Sequence, residues 1–214
     1  MITIYGIHSS RTRRCLWMLE ELGLPYKQIQ VDHRQEENLT EEYRAINPNM
    51  RIPTLVDGEL VLWESMAINH YLADKYDGGL RPKNEEDRAR AYQWSFWGMA
   101  EADSLLNTII WHRHIFPEEH RKPERADKAE AAMQKPFSVL NESLEDRTYL
   151  LGDVFTVADL NLSFMFAWAR SGQADLSAFP NINRWLDACL SRPKLVELQA
   201  VGGTYPKPYK TYPD

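Results

Sequence analysis

Residues 47–72, NPNMRIPTLVDGELVLWESMAINHYL, constrain the fold more than any other stretch. Residues 52–56 form a β-branched, apolar run entered through Pro53, and Asp57-Gly58 is the kind of two-residue turn that closes a hairpin back into residues 59–63. Pro53 stands at a strand start, where a missing N–H is tolerated. A proline between two extended runs is also a candidate for a cis bond, which would turn the Ile52 main chain outward to pair with an extended ligand. After Glu64 and Ser65, the residues Ala67, Ile68, Tyr71, Leu72 and Tyr76 recur at helical spacing, so Ser65 is placed at or beside a helix N-terminus. The free N–H groups and dipole of such an end can hold a carboxylate.

The chain before this stretch reads as strand, helix, strand. Residues 1–7 alternate, residues 13–22 put Cys15, Leu16, Leu19 and Leu22 on one helical face with Gly23 placed to end it, and residues 26–31 are again strand-like. A helix between two strands makes a parallel βαβ unit. Together with the hairpin and its helix this predicts a thioredoxin-like α/β domain over residues 1–77, followed by a Gly- and Pro-bearing linker at 78–84.

Everything from residue 85 to 201 is helical in pattern, which predicts an all-α bundle as the second domain. Residues 85–116 form one long helix whose apolar residues cover more than a narrow stripe, as expected of a helix central to a bundle or shared with a partner subunit. Pro123 is suited to start the next helix, and Pro136 inside it is expected to kink or break it. Thr156-Val157-Ala158-Asp159 has the form of a capping box, flanked by Phe155 and Leu160 as a hydrophobic staple. Another helix follows Pro180 and ends near Arg192-Pro193. The tail, residues 202–214, is too rich in Pro and Gly for a helix and is expected to be extended, its tyrosines either loose or laid over a pocket mouth.

Composition narrows the function classes. A net charge of −6 argues against a nucleic-acid binder, since neutralising phosphates needs a basic surface. No 18-residue apolar run is present, and the basic residues near the N-terminus follow the apolar ones, so no membrane span or secretory signal is read and the cytoplasm is the expected location. The two cysteines, Cys15 and Cys189, each stand alone in a helical segment and build neither a disulfide framework nor a CxxC site. Among six histidines only His112 and His114 are closely spaced, and they point to different faces of a helix, so no metal is expected.

The Asn-Pro loop, the Ile-Pro-Thr-Leu strand, the Asp-Gly hairpin and the Glu-Ser helix start closely resemble the glutathione-binding half of the soluble glutathione transferases. The segment FTVADLNL, residues 155–162, resembles the folding-nucleus motif of the helical half, and the resemblance runs over nearly the whole chain. It implies a homodimeric enzyme of the bacterial serine type, with glutathione as co-substrate, that lets the glutathione thiol attack a small hydrophobic electrophile or a peroxide. Isomerisation, dehalogenation or glutathione-dependent reduction on the same fold, and a non-enzymatic binding module, are the rival readings.

Ser9-Ser10-Arg11 lies between the first strand and helix, where a thioredoxin carries its CxxC. A hydroxyl there can donate to a bound thiol and favour the thiolate, aided by the helix end; as residues alone, a serine before a helix is a cap far more often than a catalyst. Under the resemblance two registers stand open for the thiolate-stabilising group, Ser9 or Ser10, with Arg11 as a further donor. The resemblance also assigns Glu64 and Ser65 to the γ-glutamyl group, the Ile52 main chain to the cysteinyl residue, and Pro53 to the cis-proline. His33, Arg34 and Arg51 are the candidates for the glycine carboxylate, because Met50 stands where other relatives place a histidine or lysine. The electrophile's pocket is expected between the first domain and the long helix, lined by His8, Trp97, Trp111, His112 and Phe116, and Cys15 is expected in the core.

Overall fold

The computed structural model describes residues 1–76, 78–201, 209 and 210. The chain divides into two compact units, one of Met1–Arg81 with the residues from Pro193 on, the other Pro82–Arg192.

The first unit carries a four-stranded sheet in the order β2-β1-β3-β4, made of β1 (Ile2–Tyr5), β2 (Tyr26–Ile29), β3 (Thr54–Asp57) and β4 (Leu60–Trp63). β1 and β2 are parallel, with Ile2 beside Tyr26; β3 is antiparallel to β1, with Ile4 opposite Leu55, and β4 returns antiparallel to β3. β3 starts at Thr54, later than the apolar run implies, because Pro53 has no N–H to give a ladder. The crossover helix α1 (Thr12–Glu21) packs against α3 (Ser65–Lys75) and against the helix α9 (Pro193–Val201). Ile4, Leu16, Leu19, Leu55, Ile68 and Leu72 fill the core at zero exposure. This is the thioredoxin-like arrangement. Two elements that hydrophobic periodicity does not announce follow β2: a 3-10 turn at His33–Gln35, capped by Asp32 on the Arg34 N–H at 3.0 Å, and α2 (Glu41–Ile46), capped by Thr40.

The hairpin is pinned to the end of α3. Asp57 Oδ2 accepts from Lys75 Nζ at 2.6 Å, Tyr76 Oη at 2.6 Å and Tyr71 Oη at 2.8 Å. Desolvation pushes this carboxyl up, but the bonds from Lys75, Tyr76 and Tyr71 outweigh it and hold it down at about 2. A carboxyl whose folded pKa is below its unfolded value stabilises the fold above the unfolded pKa and loses that contribution as the pH falls towards the folded one. The urea midpoint of wild type should therefore exceed that of Asp57→Asn by a constant amount between pH 5 and 7, and the gap should narrow below about pH 4. A gap that stays constant down to pH 3 would show that the cluster acts by shape and not by charge.

In the second unit, α4 (Glu85–Trp97) runs through a π turn at Gly98–Ala102 into α5 (Asp103–Ile110), and a second π turn at Trp111–Ile115 ends the run. The long helix thus exists with two wide turns in it. Each π turn inserts an extra residue and re-phases the apolar face, which a constant 3.6-residue repeat cannot foretell. α6 (Pro123–Ser143) runs unbroken through Pro136, contrary to a break at that residue. The ring is buried, and α6 is held along its length by α5 and by α8 (Pro180–Leu190), so the missing hydrogen bond does not end the helix. α7 (Val157–Ser171) is the centre of the unit and packs against α4, α5 and α8.

The N-terminus of α7 is the capping box read from the sequence. Thr156 N–H donates to Asp159 Oδ2 at 3.0 Å, and the same carboxylate accepts from Leu150 N–H at 2.8 Å and Trp185 Nε1 at 3.0 Å. α9, although helical in pattern like residues 85–192, is grouped with the first unit, where its Leu195 and Leu198 are buried. Pro193 at its start provides the fixed φ of a first helical turn.

Candidate functional site

The turn between β1 and α1 brings Ser9 and Ser10 to the same end of the sheet that carries the Ile52–Pro53 peptide, which is cis. The two serines differ in what they are bonded to. Ser10 Oγ donates to the Ile7 carbonyl at 2.8 Å, lies 2.9 Å from Thr12 Oγ1 and accepts from Thr12 N–H at 3.1 Å, so its hydroxyl is engaged in forming the turn. Ser9 is half-buried and its hydroxyl makes no hydrogen bond among the described residues. Arg11 occupies the N-cap position of α1, and its charge contributes to the depressed pKa of His33.

Ile52 is half-buried, and among the described residues neither its N–H nor its C=O is hydrogen-bonded. The loop around it is held from behind: Tyr43 Oη and Asn47 Nδ2 both donate to the Arg51 carbonyl, at 2.9 and 2.8 Å, and Asn47 Nδ2 also reaches Thr54 Oγ1. The Arg51 side chain itself is exposed.

Glu64 and Ser65 open α3. Glu64 is exposed and has φ 71° and ψ 110°, a conformation that costs a non-glycine residue about 1–3 kcal/mol and is concentrated at ligand clamps. No side chain caps this helix, whereas α2, α4 and α7 are capped by Thr40, Asn84 and Thr156. Ser65 is 4% exposed, and its Oγ accepts from Arg14 Nη1 at 3.0 Å. Arg14 sits in the run Arg11-Thr12-Arg13-Arg14, which has the look of a solvated charge cluster, but its helical phase, four residues before Met18, puts it on the buried face of α1.

His33 is half-buried, and burial, followed by the Arg34 charge, lowers its pKa. Tyr209 lies against it, ring edge to ring face at 5.7 Å, with Oη 3.5 Å from Nε2, and Lys210 N–H donates to the Arg34 carbonyl at 2.9 Å. Part of the tail is thus laid on the His33 turn; Tyr205 and Tyr212 lie outside the described residues. Arg34 is buried, with Nε and Nη2 on the two carboxylate oxygens of Asp32 at 3.0 and 3.3 Å, which makes it a brace of the turn. Cys15 has zero exposure, and burial drives its thiol pKa far up despite the nearby Arg14 charge, so it is a core residue.

Of the residues expected around the electrophile, Trp97, Trp111, His112 and Phe116 belong to the second unit and His8 to the first. Trp111 and His112 both lie against Phe116, with ring centroids 5.6 and 5.2 Å away. His112 is buried and its Nδ1 accepts from Lys122 N–H at 3.2 Å; burial, then Arg125 and Lys122, lowers its pKa. Trp97 belongs to a different cluster, stacked over Phe166 at 6.1 Å and edge-on to Trp94. His8 is half-buried in the first unit, on the turn that carries Ser9, and burial followed by the Arg13 charge lowers its pKa. Among the described residues no group of His, Cys, Asp and Glu side chains is placed to hold a metal, and no helix is long and apolar enough to cross a membrane.

Residues 1–74 match the family model of the glutathione S-transferase N-terminal domain, and residues 103–193 that of its C-terminal domain. The chain is 31% identical over 201 residues to the disulfide-bond oxidoreductase YfcG of Escherichia coli, covering 90% of this chain and 92% of that protein. A theta class glutathione S-transferase from Xanthomonas axonopodis pv. citri, solved with glutathione bound, is similar with a TM-score of 0.83 and 32% identity, covering 95% of this chain and 97% of that one. A glutathione transferase from Burkholderia graminis, solved with two glutathione molecules bound per subunit, has a TM-score of 0.81 at 29% identity, covering 94% and 88%. Two domain matches in the right order, and relatives aligned from end to end, agree with the cis-proline loop and the uncapped serine helix: the chain belongs to the glutathione S-transferase family.

Proposed function

We propose that the protein is a glutathione transferase that ionises the glutathione thiol with Ser9 and presents it to a small hydrophobic electrophile. The reading rests on the start of α3, an uncapped helix end that carries a buried serine hydroxyl and follows a strained glutamate. Glutathione is an extended, anionic tripeptide. Its γ-glutamyl carboxylate fits the free N–H groups and Oγ of Ser65, and Glu64 stands beside the amine. The cysteinyl main chain pairs with the open N–H and C=O of Ile52, and the glycine carboxylate meets Arg51 or His33. Ser9 Oγ then donates to the sulfur. The thiolate forms a C–S bond as the electrophile's leaving group departs with the bonding pair.

A dimer fits the exposed apolar residues of each unit: Leu60, Val61 and Trp63 on the edge strand β4 of one, Phe96 and Met99 on the α4 run of the other. A solution mass of the single chain alone would remove it.

A second reading is glutathione-dependent disulfide reduction, favoured by the name of the Escherichia coli relative and by the two glutathione molecules per subunit of the Burkholderia protein. The thiolate of one glutathione would attack a glutathione mixed disulfide, releasing the other thiolate and forming glutathione disulfide. Neither electron passes through a cysteine of the chain, since both are buried.

Calorimetric titration with reduced glutathione tests the common step. Saturable binding below the millimolar range is expected, and product analysis with an aryl halide and with a small mixed disulfide then separates the two chemistries. No heat at several temperatures and no thermal shift would overturn both and leave a binding module without glutathione.

A further inference from the structure

We propose that Arg14 is a positioning residue for the γ-glutamyl carboxylate of glutathione, acting from the interior of the first unit through the Ser65 hydroxyl. The proposal rests on the assignment of Ser65 to that carboxylate and adds a residue that no ligand can touch directly.

Arg14 has zero exposure, in the middle of the apolar face of α1. Its Nη1 donates to Ser65 Oγ at 3.0 Å, and its own carbonyl accepts from Asn69 Nδ2 at 3.4 Å. The neighbouring Cys15 Sγ approaches the Ser65 carbonyl at 3.5 Å. α1 is therefore attached to the first turns of α3 at the very residue that starts the helix.

The chemistry of the contact fixes a direction. A guanidinium has donors only, so Ser65 Oγ is the acceptor in this bond and its hydroxyl proton points away from Arg14. That proton is left to be donated to an anion at the helix end. Without Arg14, Ser65 Oγ would be free to turn its proton to a nearby carbonyl, as serines at helix starts commonly do.

Burying a guanidinium between two helices is costly, and leucine or methionine would fill the space at less expense. The helix dipole and the guanidinium act on the same carboxylate, one through the free N–H groups and one through Ser65. The charge is felt locally: it opposes the effect of burial on the Cys15 thiol.

The test compares wild type, Arg14→Met, Arg14→Lys, Ser65→Ala and the Arg14→Met/Ser65→Ala pair. Each is titrated with reduced glutathione and with glutathione whose γ-glutamyl α-carboxylate has been converted to the amide, alongside steady-state conjugation. Arg14→Met is expected to raise the glutathione Kd and KM about tenfold with kcat within about twofold, and to lose most of the wild-type preference for glutathione over the amide. Arg14→Lys, which keeps the charge, should recover part of both. The pair should bind no more than about twofold worse than Ser65→Ala, because both changes remove one interaction. Wild-type affinity in Arg14→Met, or equal weakening towards glutathione and the amide, would reduce Arg14 to packing and overturn the proposal. Unchanged affinity in Ser65→Ala would instead overturn the assignment on which it rests. If Arg14→Met does not fold, Arg14→Lys decides: a loss of about threefold confined to glutathione supports the proposal, and equal or no loss overturns it.

Discussion

Replacing Asp159 by alanine should lower stability by about 3–5 kcal/mol, the largest loss expected from any single side chain outside the apolar core. The carboxylate has zero exposure and accepts from Leu150 N–H, Thr156 N–H, the Thr156 hydroxyl and Trp185 Nε1. Alanine leaves four buried donors without that acceptor, on three segments: the loop before α7, the α7 N-cap and α8. The bonds cross the sequence as well as cap a helix, so the loss exceeds the ~1 kcal/mol of an ordinary cap. Burial by itself pushes the Asp159 carboxyl up, which sets a limit on the gain from its charge; the hydrogen bonds oppose that push. A domain is stable by about 5–15 kcal/mol, so the variant should be marginal, melting about 10 °C or more below wild type. Asp159→Asn, which keeps one acceptor oxygen but sets an amide donor against the others, should fall between. Urea unfolding checks both, and a loss under about 1 kcal/mol in the alanine variant would mean that water satisfies the four donors.

The parts of this fold that the sequence discloses are the locally determined ones. The Asp57-Gly58 hairpin, the proline before β3, the serine at the start of α3 and the Thr156–Asp159 box each depend on a few adjacent residues with a specific backbone demand. The parts it conceals depend on partners far along the chain. The π turns at 98–102 and 111–115 re-phase a helix to suit the surfaces packed on it, and Pro136 is tolerated because neighbouring helices hold α6 together. α9 has a weak pattern of its own and is placed by α1.

The same distinction applies within the site. The placement of Ile52 before β3 and of Glu64 and Ser65 at the α3 start is legible because a strand entry and a helix start are local facts. Arg34 reads as a candidate for the glycine carboxylate and proves to be a buried brace on Asp32; its partner is local, and what the sequence conceals is the burial of the turn. Arg14 reads as part of a charged run and proves to be interior, and its contact with Ser65 joins residues separated by 51 positions. A serine pair cannot be ranked from sequence because both positions suit a cap; the ranking comes from which hydroxyl the turn has already engaged.

That ranking carries the second large effect, on catalysis. Free glutathione, with a thiol pKa near about 8.5, is only a few per cent ionised at neutral pH, so a donor that lowers the pKa by one or two units raises the nucleophile about tenfold or more. Ser9 has its hydroxyl unspent, whereas Ser10 gives its proton to the Ile7 carbonyl and its lone pair to Thr12 N–H. Ser9→Ala should therefore reduce kcat/KM by about tenfold or more and move the acidic limb of its pH profile up by at least about one unit, with melting temperature nearly unchanged. Ser10→Ala should do the opposite: a loss of about 1 kcal/mol in stability from the weakened turn, and a pH limb within a few tenths of wild type. Difference spectra of the bound thiolate, titrated from pH 5 to 9, read the pKa without relying on turnover. Should the limb move in Ser10→Ala and not in Ser9→Ala, the donor is Ser10 and the turn must reorganise when glutathione binds. Should it move in neither, the thiol is ionised by the α1 helix end and Arg11, and neither hydroxyl is the donor.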